Sequence, residues 1–567
     1  MKQPKYQKEY TKEELKRDLE EKCIANDFEE PAKRKTPLVK KYILALVFFL
    51  VVAIAVLGFI LFDKFNKNVM KVPGKLVFDE SVSEEEKSYI EDRFEKWKEY
   101  GKGVEIWHDV KISADTIYKI DESYASIRNN PVKIVYDVYL PTVNFYSSEL
   151  NITEAEAKDE TENSKVKWVS YNELTPENRV VSIDNKYFFD EYFEGAKYRV
   201  LTLESEENAE ASIVASFSSQ FKYDSIEDGS DETITSSLGS YFPFDKQSYL
   251  SFSQTGVTAL VRAMTNTLNG KAGGRGSYFA DNIKDFLSTK DLTHISNEAS
   301  FADGCKGGTN TMMLCSDWRV LDTITAIGTD IVELTGNHNN NYGTNANIKT
   351  IEKYHSLGIK TFGGGINAEE AAKPLELTTK DVNITLLGYN KSTSTVGNGE
   401  LASGNAPGAN GYDEAKAKAD IAAAKERGDF IIVDIQFSEC YSYPDGYTEM
   451  PECDKPISGQ QSFFRQFIDW GADIVIGTQA HHPQTFEYYK GKPIYYGLGN
   501  LFFDQTYWPG TQRGYILTHY FDVTTKKYLN TRISPTWYDK NHQVYLMNEK
   551  DSESFIERLV KSSAKGK

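Results

Sequence analysis

Three runs of β-branched and other apolar residues each give way abruptly to polar residues. Asp330-Ile-Val-Glu-Leu-Thr335 leads into Gly336-Asn337-His338, Phe430-Ile-Ile-Val-Asp-Ile435 into Gln436, and Asp473-Ile-Val-Ile-Gly-Thr478 into Gln479-Ala480-His481. Such runs predict parallel strands buried on both faces, and ligand sites in open α/β sheets lie beyond the carboxyl ends of the strands. Placed in one sheet, Asn337, His338, Gln436, Gln479 and His481 meet on one rim. Amides and imidazoles gathered there predict a polar pocket capable of holding a metal.

The same reading organises the rest of the chain. From about Leu250, strand-like runs at 251–258, 330–335, 359–362, 383–389, 430–436, 473–478 and 494–497 alternate with helical stretches that include Asp413–Arg427 and Gln461–Trp470. That alternation predicts an α/β domain over 250–545 whose sheet layers are covered by helices, followed by a tail at 546–567. Ser392–Tyr412, rich in Gly, Ser and Asn, is either a lid or a long loop. Residues 75–245 mix strand-like runs with helical ones such as Glu84–Tyr100 and form a smaller α/β accessory domain. Within it, Glu177-Asn-Arg-Val-Val-Ser-Ile-Asp-Asn185 resembles a segment of periplasmic-binding-protein-like domains.

Tyr42–Phe62 carries no charged side chain and is long enough, as a helix, to span a bilayer. Lys33, Arg34, Lys35, Lys40 and Lys41 crowd its amino-terminal flank, so the positive-inside rule places residues 1–41 in the cytoplasm and the later domains outside. A core helix is the rival reading of this run. The 567 residues carry a formal net charge of -18, which argues against nucleic acid as a partner. Cys305 with Cys315 and Cys440 with Cys453 form two local pairs on the outer side, as expected for disulfides in an oxidising compartment. A zinc site built from the four thiolates is the competing arrangement.

Leu334-Thr-Gly-Asn-His-Asn-Asn-Asn-Tyr-Gly343 is the most specific motif. An Asn carbonyl is a neutral metal ligand, and an adjacent His can protonate a leaving group. A polar turn before a helix near Thr344 explains the same residues without chemistry. Four further stretches occur with it in fixed order: Asp291-Leu-Thr-His-Ile-Ser-Asn-Glu298, Gly363-Gly-Gly-Ile-Asn-Ala-Glu-Glu-Ala371, Trp470-Gly-Ala-Asp-Ile-Val-Ile-Gly-Thr-Gln-Ala-His481 and Tyr496-Gly-Leu-Gly-Asn-Leu-Phe-Phe-Asp504. Over roughly residues 250–510 this order resembles the CapA-type poly-γ-glutamate capsule-synthesis family, whose domain is similar to calcineurin-type metallophosphatases.

The resemblance implies a calcineurin-like layered α/β fold and a site built from matching positions. Asn297 and Glu298 match the family's Asn-Leu-Glu element, Asn337 and His338 its Asn-His pair, His481 the second His of its His-Pro-His element, and Asn500 the Asn of its Leu-Gly-Asn turn. Three positions depart. Val257 stands where an acidic residue is usual, Gln436 where a His opens a His-Trp-Gly element, and Gln479 in place of the first His of His-Pro-His. The implied ligands of a divalent metal are Glu298, Asn337, Gln436, Gln479 and His481, with His338 as general acid and Glu298 beside it in catalysis. Asn297, Glu439 and Asn500 are expected around the pocket, and Trp508 and Arg513 are candidates for its lining. His482 is expected to be structural. The implied role is synthesis, anchoring or processing of an anionic cell-surface polymer such as poly-γ-glutamate, on the membrane and alongside other capsule-synthesis membrane subunits. The alternative is a metal-dependent hydrolase of an amide or phosphoester in the cell envelope.

Overall fold

The computed structural model describes residues 75–100, 109–118, 132–205 except 160, 162–163 and 191–194, 248–391 except 309–310, 400–440 and 453–563. The apolar run at 42–62 lies outside them. Among the described residues no helix is long and apolar enough to cross a membrane.

The main domain is a sandwich of two sheets with helices on both outer faces. One sheet has the strand order Lys360–Phe362, Ile331–Glu333, Leu292–Asn297, Tyr249–Thr258, Arg513–Asp522, Tyr528–Tyr538, Val544–Leu546, with Asn500–Phe502 pairing beside Thr258. The other runs Leu375–Thr379, Val382–Asn390, Phe430–Gln436, Ile474–Thr478, Lys492–Tyr495, Phe486–Tyr489. The strands that feed the rim are parallel within each sheet. The three motif-bearing runs therefore do not share one sheet, so the condition under which the sequence brings them to one rim is not met. The run at 331–333 belongs to the first sheet and the runs at 430–436 and 474–478 to the second.

Side-chain alternation accounts for this layering. Along Phe430–Gln436, Ile431, Val433 and Ile435 pack with Ala417, Ile421, Phe464 and Phe467 of the helices Glu414–Arg427 and Gln460–Trp470. The intervening Ile432 faces inward, in one cluster with Leu250, Phe252, Leu292, Ile331 and Ile474 of both sheets. Successive strand residues point to opposite faces, so each parallel strand buries both. Toward the carboxyl ends the inner positions turn polar. Gln254, His294, Glu333 and Asp434 are all buried there, with Gln254 Nε2 donating to Asp434 at 3.3 Å and His519 Nε2 within 3.0 Å of Gln254 Oε1. The apolar interface thus gives way to a polar layer just beneath the rim.

Two regions differ from expectation. Residues beyond 545 are not merely a tail: Asn548 caps the helix Glu549–Lys561, whose Phe555, Ile556 and Leu559 join the inter-sheet core. The strands Arg513–Asp522 and Tyr528–Tyr538, which pair antiparallel, have no counterpart among the strand-like runs read from the sequence. Upstream, a six-stranded and mostly antiparallel sheet contains Val110–Ile117, Val132–Asn144 and Lys197–Ser205. It packs on the main domain through Tyr198 and Val200 against Tyr249, Tyr520 and Leu529. Both cysteine pairs are disulfides, Cys305–Cys315 and Cys440–Cys453.

Candidate functional site

The Gly336-Asn337-His338 turn sits against the end of the neighbouring strand. A Cβ on Gly336 would fall 2.5 Å from the Asn297 carbonyl oxygen and 2.8 Å from Glu298 Cα, so the approach requires glycine. Asn297 itself is turned away from the rim. Its Nδ2 donates to Ala299 O and Asn339 Oδ1, and its Oδ1 accepts from Tyr354 Oη. It fixes the turn and does not face a ligand.

Across the gap between the sheets runs a string of amides. Gln436 Nε2 donates to Asn337 Oδ1 at 3.1 Å and also to Gln479 Oε1, and Gln479 Nε2 donates to Glu439 Oε1 at 2.8 Å. Thr335 joins weakly, its hydroxyl 3.4 Å from Gln436 Oε1. The carbonyl oxygens of Asn337 and Gln479, two of the expected ligands, both accept from one amide nitrogen. Of the five expected ligands only Glu298 and His481 are carboxylate or imidazole. Among the described residues no three His, Cys, Asp or Glu side chains are grouped to hold a metal. Two closely spaced dications need anionic bridging ligands, and this donor set does not fit them.

Beside the string, Glu298 Oε1 lies 3.9 Å from His338 Nε2, with both side chains buried. Burial first, then the charges of Glu439, Glu333 and Glu400, raises the Glu298 carboxyl well above its ordinary range. Burial lowers His338, the Asn341 hydrogen bond opposes this, and Arg262 lowers it further. Burial thus disfavours the charged form of both groups. The Leu314 amide donates to Asn341 Oδ1, which fixes that atom as an acceptor, and His338 Nδ1 donates to the same oxygen at 2.6 Å. His338 Nε2 therefore carries the lone pair. In this tautomer the imidazole offers an acceptor toward Glu298.

His338 and His481 line a cleft of about 520 Å³ with Arg262, Met312, Asp504 and Trp508. Asn500 Oδ1 lies 3.0 Å from His481 Nδ1, and Asn500 Nδ2 donates to Gln505 Oε1 and Thr511 O, so Asn500 orients the imidazole. Burial pushes His481 down to about 4. Arg262 is clamped by Asp504, with Nε donating to Oδ2 at 3.0 Å and Nη2 to Oδ1 at 2.5 Å. Arg262, Gln479 and His481 all have left-handed backbone, φ 47°, 81° and 54°. Strain of this kind in non-glycine residues collects at functional sites.

The structure thus joins Asn337, Gln436, Gln479 and Glu439 directly and places Glu298, His338 and His481 alongside. Trp508 lines the cleft, whereas Arg513 lines a separate cavity with Pro509 and Arg558. His482 is buried against Pro483 O, away from the cleft. Sequence reading missed Arg262 and Glu400. Arg262 follows a short apolar stretch with no motif of its own, and Glu400 lies in a Gly/Ser-rich segment. Glu400 is pushed up to about 7 by burial and by the charge of Glu439, which ties it electrostatically to this site.

The family model of the bacterial capsule synthesis protein PGA_cap matches residues 251–505. Capsule biosynthesis protein CapA of Bacillus anthracis is 26% identical over 191 residues, covering 32% of this chain and 43% of that protein. PGA biosynthesis protein CapA of Bacillus subtilis (strain 168) is 26% identical over 237 residues, covering 41% of this chain and 57% of its own length. The chain spans about half the length of these curated relatives. A solved phosphatase from Mycoplasma pneumoniae overlays 51% of this chain and 93% of its own at 12% identity and a TM-score of 0.30, too slight a likeness to carry an argument. The family match and both CapA relatives agree with the ordered motifs and support, over residues 251–505, a divergent CapA-type member of the bacterial capsule synthesis family.

Proposed function

We propose that the protein is a non-catalytic binding or assembly component for an anionic cell-surface polymer such as poly-γ-glutamate, held at the membrane by residues 42–62 with its folded domains outside. The cleft at His338, His481 and Arg262 receives the polymer. The relatives named for PGA and capsule biosynthesis supply the substrate class. The carrying observation is the amide string, in which the Asn337 and Gln479 carbonyl oxygens are both engaged by Gln436 Nε2 and neutral amides stand where a metal site needs anionic ligands. The raised Glu298 carboxyl and the fixed amide dipoles also keep a carboxylate-rich chain from meeting concentrated negative charge, although the protein carries a net charge of -18.

A calcineurin-like hydrolase using a divalent metal is the second reading. It is favoured by the intact Asn337-His338 turn and by Glu298 Oε1, which has no hydrogen-bond partner among the described residues. The full-length protein, incubated with poly-γ-glutamate of defined length, separates the two. The expected result is binding without release of fragments, with or without added Mn²⁺ or Zn²⁺, weakened less than roughly tenfold by His338→Ala, or about 1.4 kcal/mol. Metal-stimulated cleavage that falls roughly 10²–10⁴-fold in His338→Ala overturns the binding reading.

A further inference from the structure

Arg179 lies in the 177–185 segment singled out in the sequence and left unused by the cleft. It sits on the strand Asn178–Val180, at the seam between the antiparallel sheet and the main domain, and is 3% exposed. Its Nε donates to Phe145 O at 3.1 Å and its Nη2 to Ser147 O. Those carbonyls satisfy hydrogen bonds but neutralise no charge. Among the described residues no carboxylate lies within ion-pair distance of it. Burial pushes this guanidinium down only to about 10, so it stays charged at neutral pH.

The surroundings deepen the imbalance. Arg532 and Lys290 share one carboxylate, Asp190. Arg179, Arg532, Ser182 and Ser534 line a cavity of about 130 Å³, with Glu549 also on its wall. Glu549 Oε1 accepts from Asn151 Nδ2 at 2.8 Å. On the cavity wall itself two guanidinium groups, Arg179 and Arg532, face one carboxylate, Glu549, and Arg532 is already paired with Asp190, which leaves Arg179 as the cation held by carbonyl oxygens. A buried charge without a counterion is costly, and carbonyl dipoles offset only part of that cost. The whole chain is strongly acidic and does not gather anions in general, so any affinity for them here is local.

We propose that this cavity is an oxyanion-binding site for a single carboxylate or phosphate group, with Arg179 as charged anchor, Arg532 as second cation, and the Ser182 and Ser534 hydroxyls as donors. It shares no residue with the cleft and does not depend on the polymer-binding reading. An occupied site joins the Phe145–Ser147 segment, the Asn178–Val180 strand and the Tyr528–Tyr538 strand through one anion. It therefore stabilises the seam between the two regions by preferential binding to the folded state.

Thermal unfolding of the full-length protein in inorganic phosphate or in acetate, at ionic strength matched with chloride, tests this. A saturable rise of several degrees is expected in one or both anions, absent in Arg179→Met. A response to acetate alone identifies a carboxylate ligand, and a response to phosphate alone a phosphate ligand. Should Arg179→Met lose cooperative folding, Leu546→Glu decides, because Leu546 lines the same cavity yet is 39% exposed. A carboxylate supplied there should abolish the saturable rise in a protein that still unfolds cooperatively. No saturable rise in the unaltered protein, or an equal rise in Leu546→Glu, overturns the proposal.

Discussion

Gln436 reaches from one sheet to Asn337 on the other, its amide nitrogen 3.1 Å from the Asn337 carbonyl oxygen. The contact joins the carboxyl ends of strands that share no backbone hydrogen bonds. Gln436→Met would leave the buried acceptors of Asn337 and Gln479 without their donor, and a buried polar group deprived of its partner costs about 1–3 kcal/mol. Chemical denaturation should show a loss of that size, with the slope unchanged. An unaltered midpoint would mean that the string contributes nothing to holding the rim.

The site's titrations predict a stability profile with opposed limbs. Glu400 titrates at about 7 when folded against 4.5 for an ordinary glutamate, and Glu298 is raised too, in both cases chiefly by burial. Their contribution is fully present below about 4.5 and is lost as pH rises through the folded values. His481, depressed to about 4 from 6.5, contributes above 6.5 and loses that contribution as pH falls toward 4. Glu400→Gln should therefore flatten the decline of melting temperature between about pH 4.5 and 7. Equal slopes in variant and parent would contradict the raised carboxyl.

Arg262 and Asp504 form a buried ion pair at the cleft wall, with side chains 12% and 3% exposed. Arg262→Met strands the Asp504 carboxylate, and breaking such a pair from one side costs about 3–5 kcal/mol. Adding Asp504→Asn should recover part of the loss. A double-mutant cycle with no coupling between the two would show that the clamp is incidental.

The Cys440–Cys453 disulfide closes a loop that begins just past Glu439, with a sequence separation of 13. Replacing both cysteines with serine should lower stability by roughly 3 kcal/mol, the chain-entropy value for a loop of this size. Loss of polymer affinity should accompany it, because Glu439 holds Gln479 from that strand end. Full affinity in the double variant would separate the disulfide from the site.

Much of this protein is legible in its residues. Runs such as Phe430-Ile-Ile-Val-Asp-Ile435 announce strands buried on both faces, because hydrophobic burial acts on every residue of such a segment. Cysteine spacing pointed to the two disulfide pairs, and the ordered motifs pointed to the family that the chain matches over residues 251–505. The pairing of strands into two sheets was not legible, because a run buried on both faces looks the same in either sheet. Arg513–Asp522 was missed because its place depends on antiparallel pairing with the distant Tyr249–Thr258, and Tyr528–Tyr538 joins the sheet by pairing with Arg513–Asp522. Protonation was equally hidden. The Glu298 carboxyl is raised by burial and then by Glu439, Glu333 and Glu400, residues scattered across the sequence that meet around it. The residue types and their order are set locally by the chain, whereas their charges and partners are set by desolvation and proximity, which exist only once the two sheets close on each other.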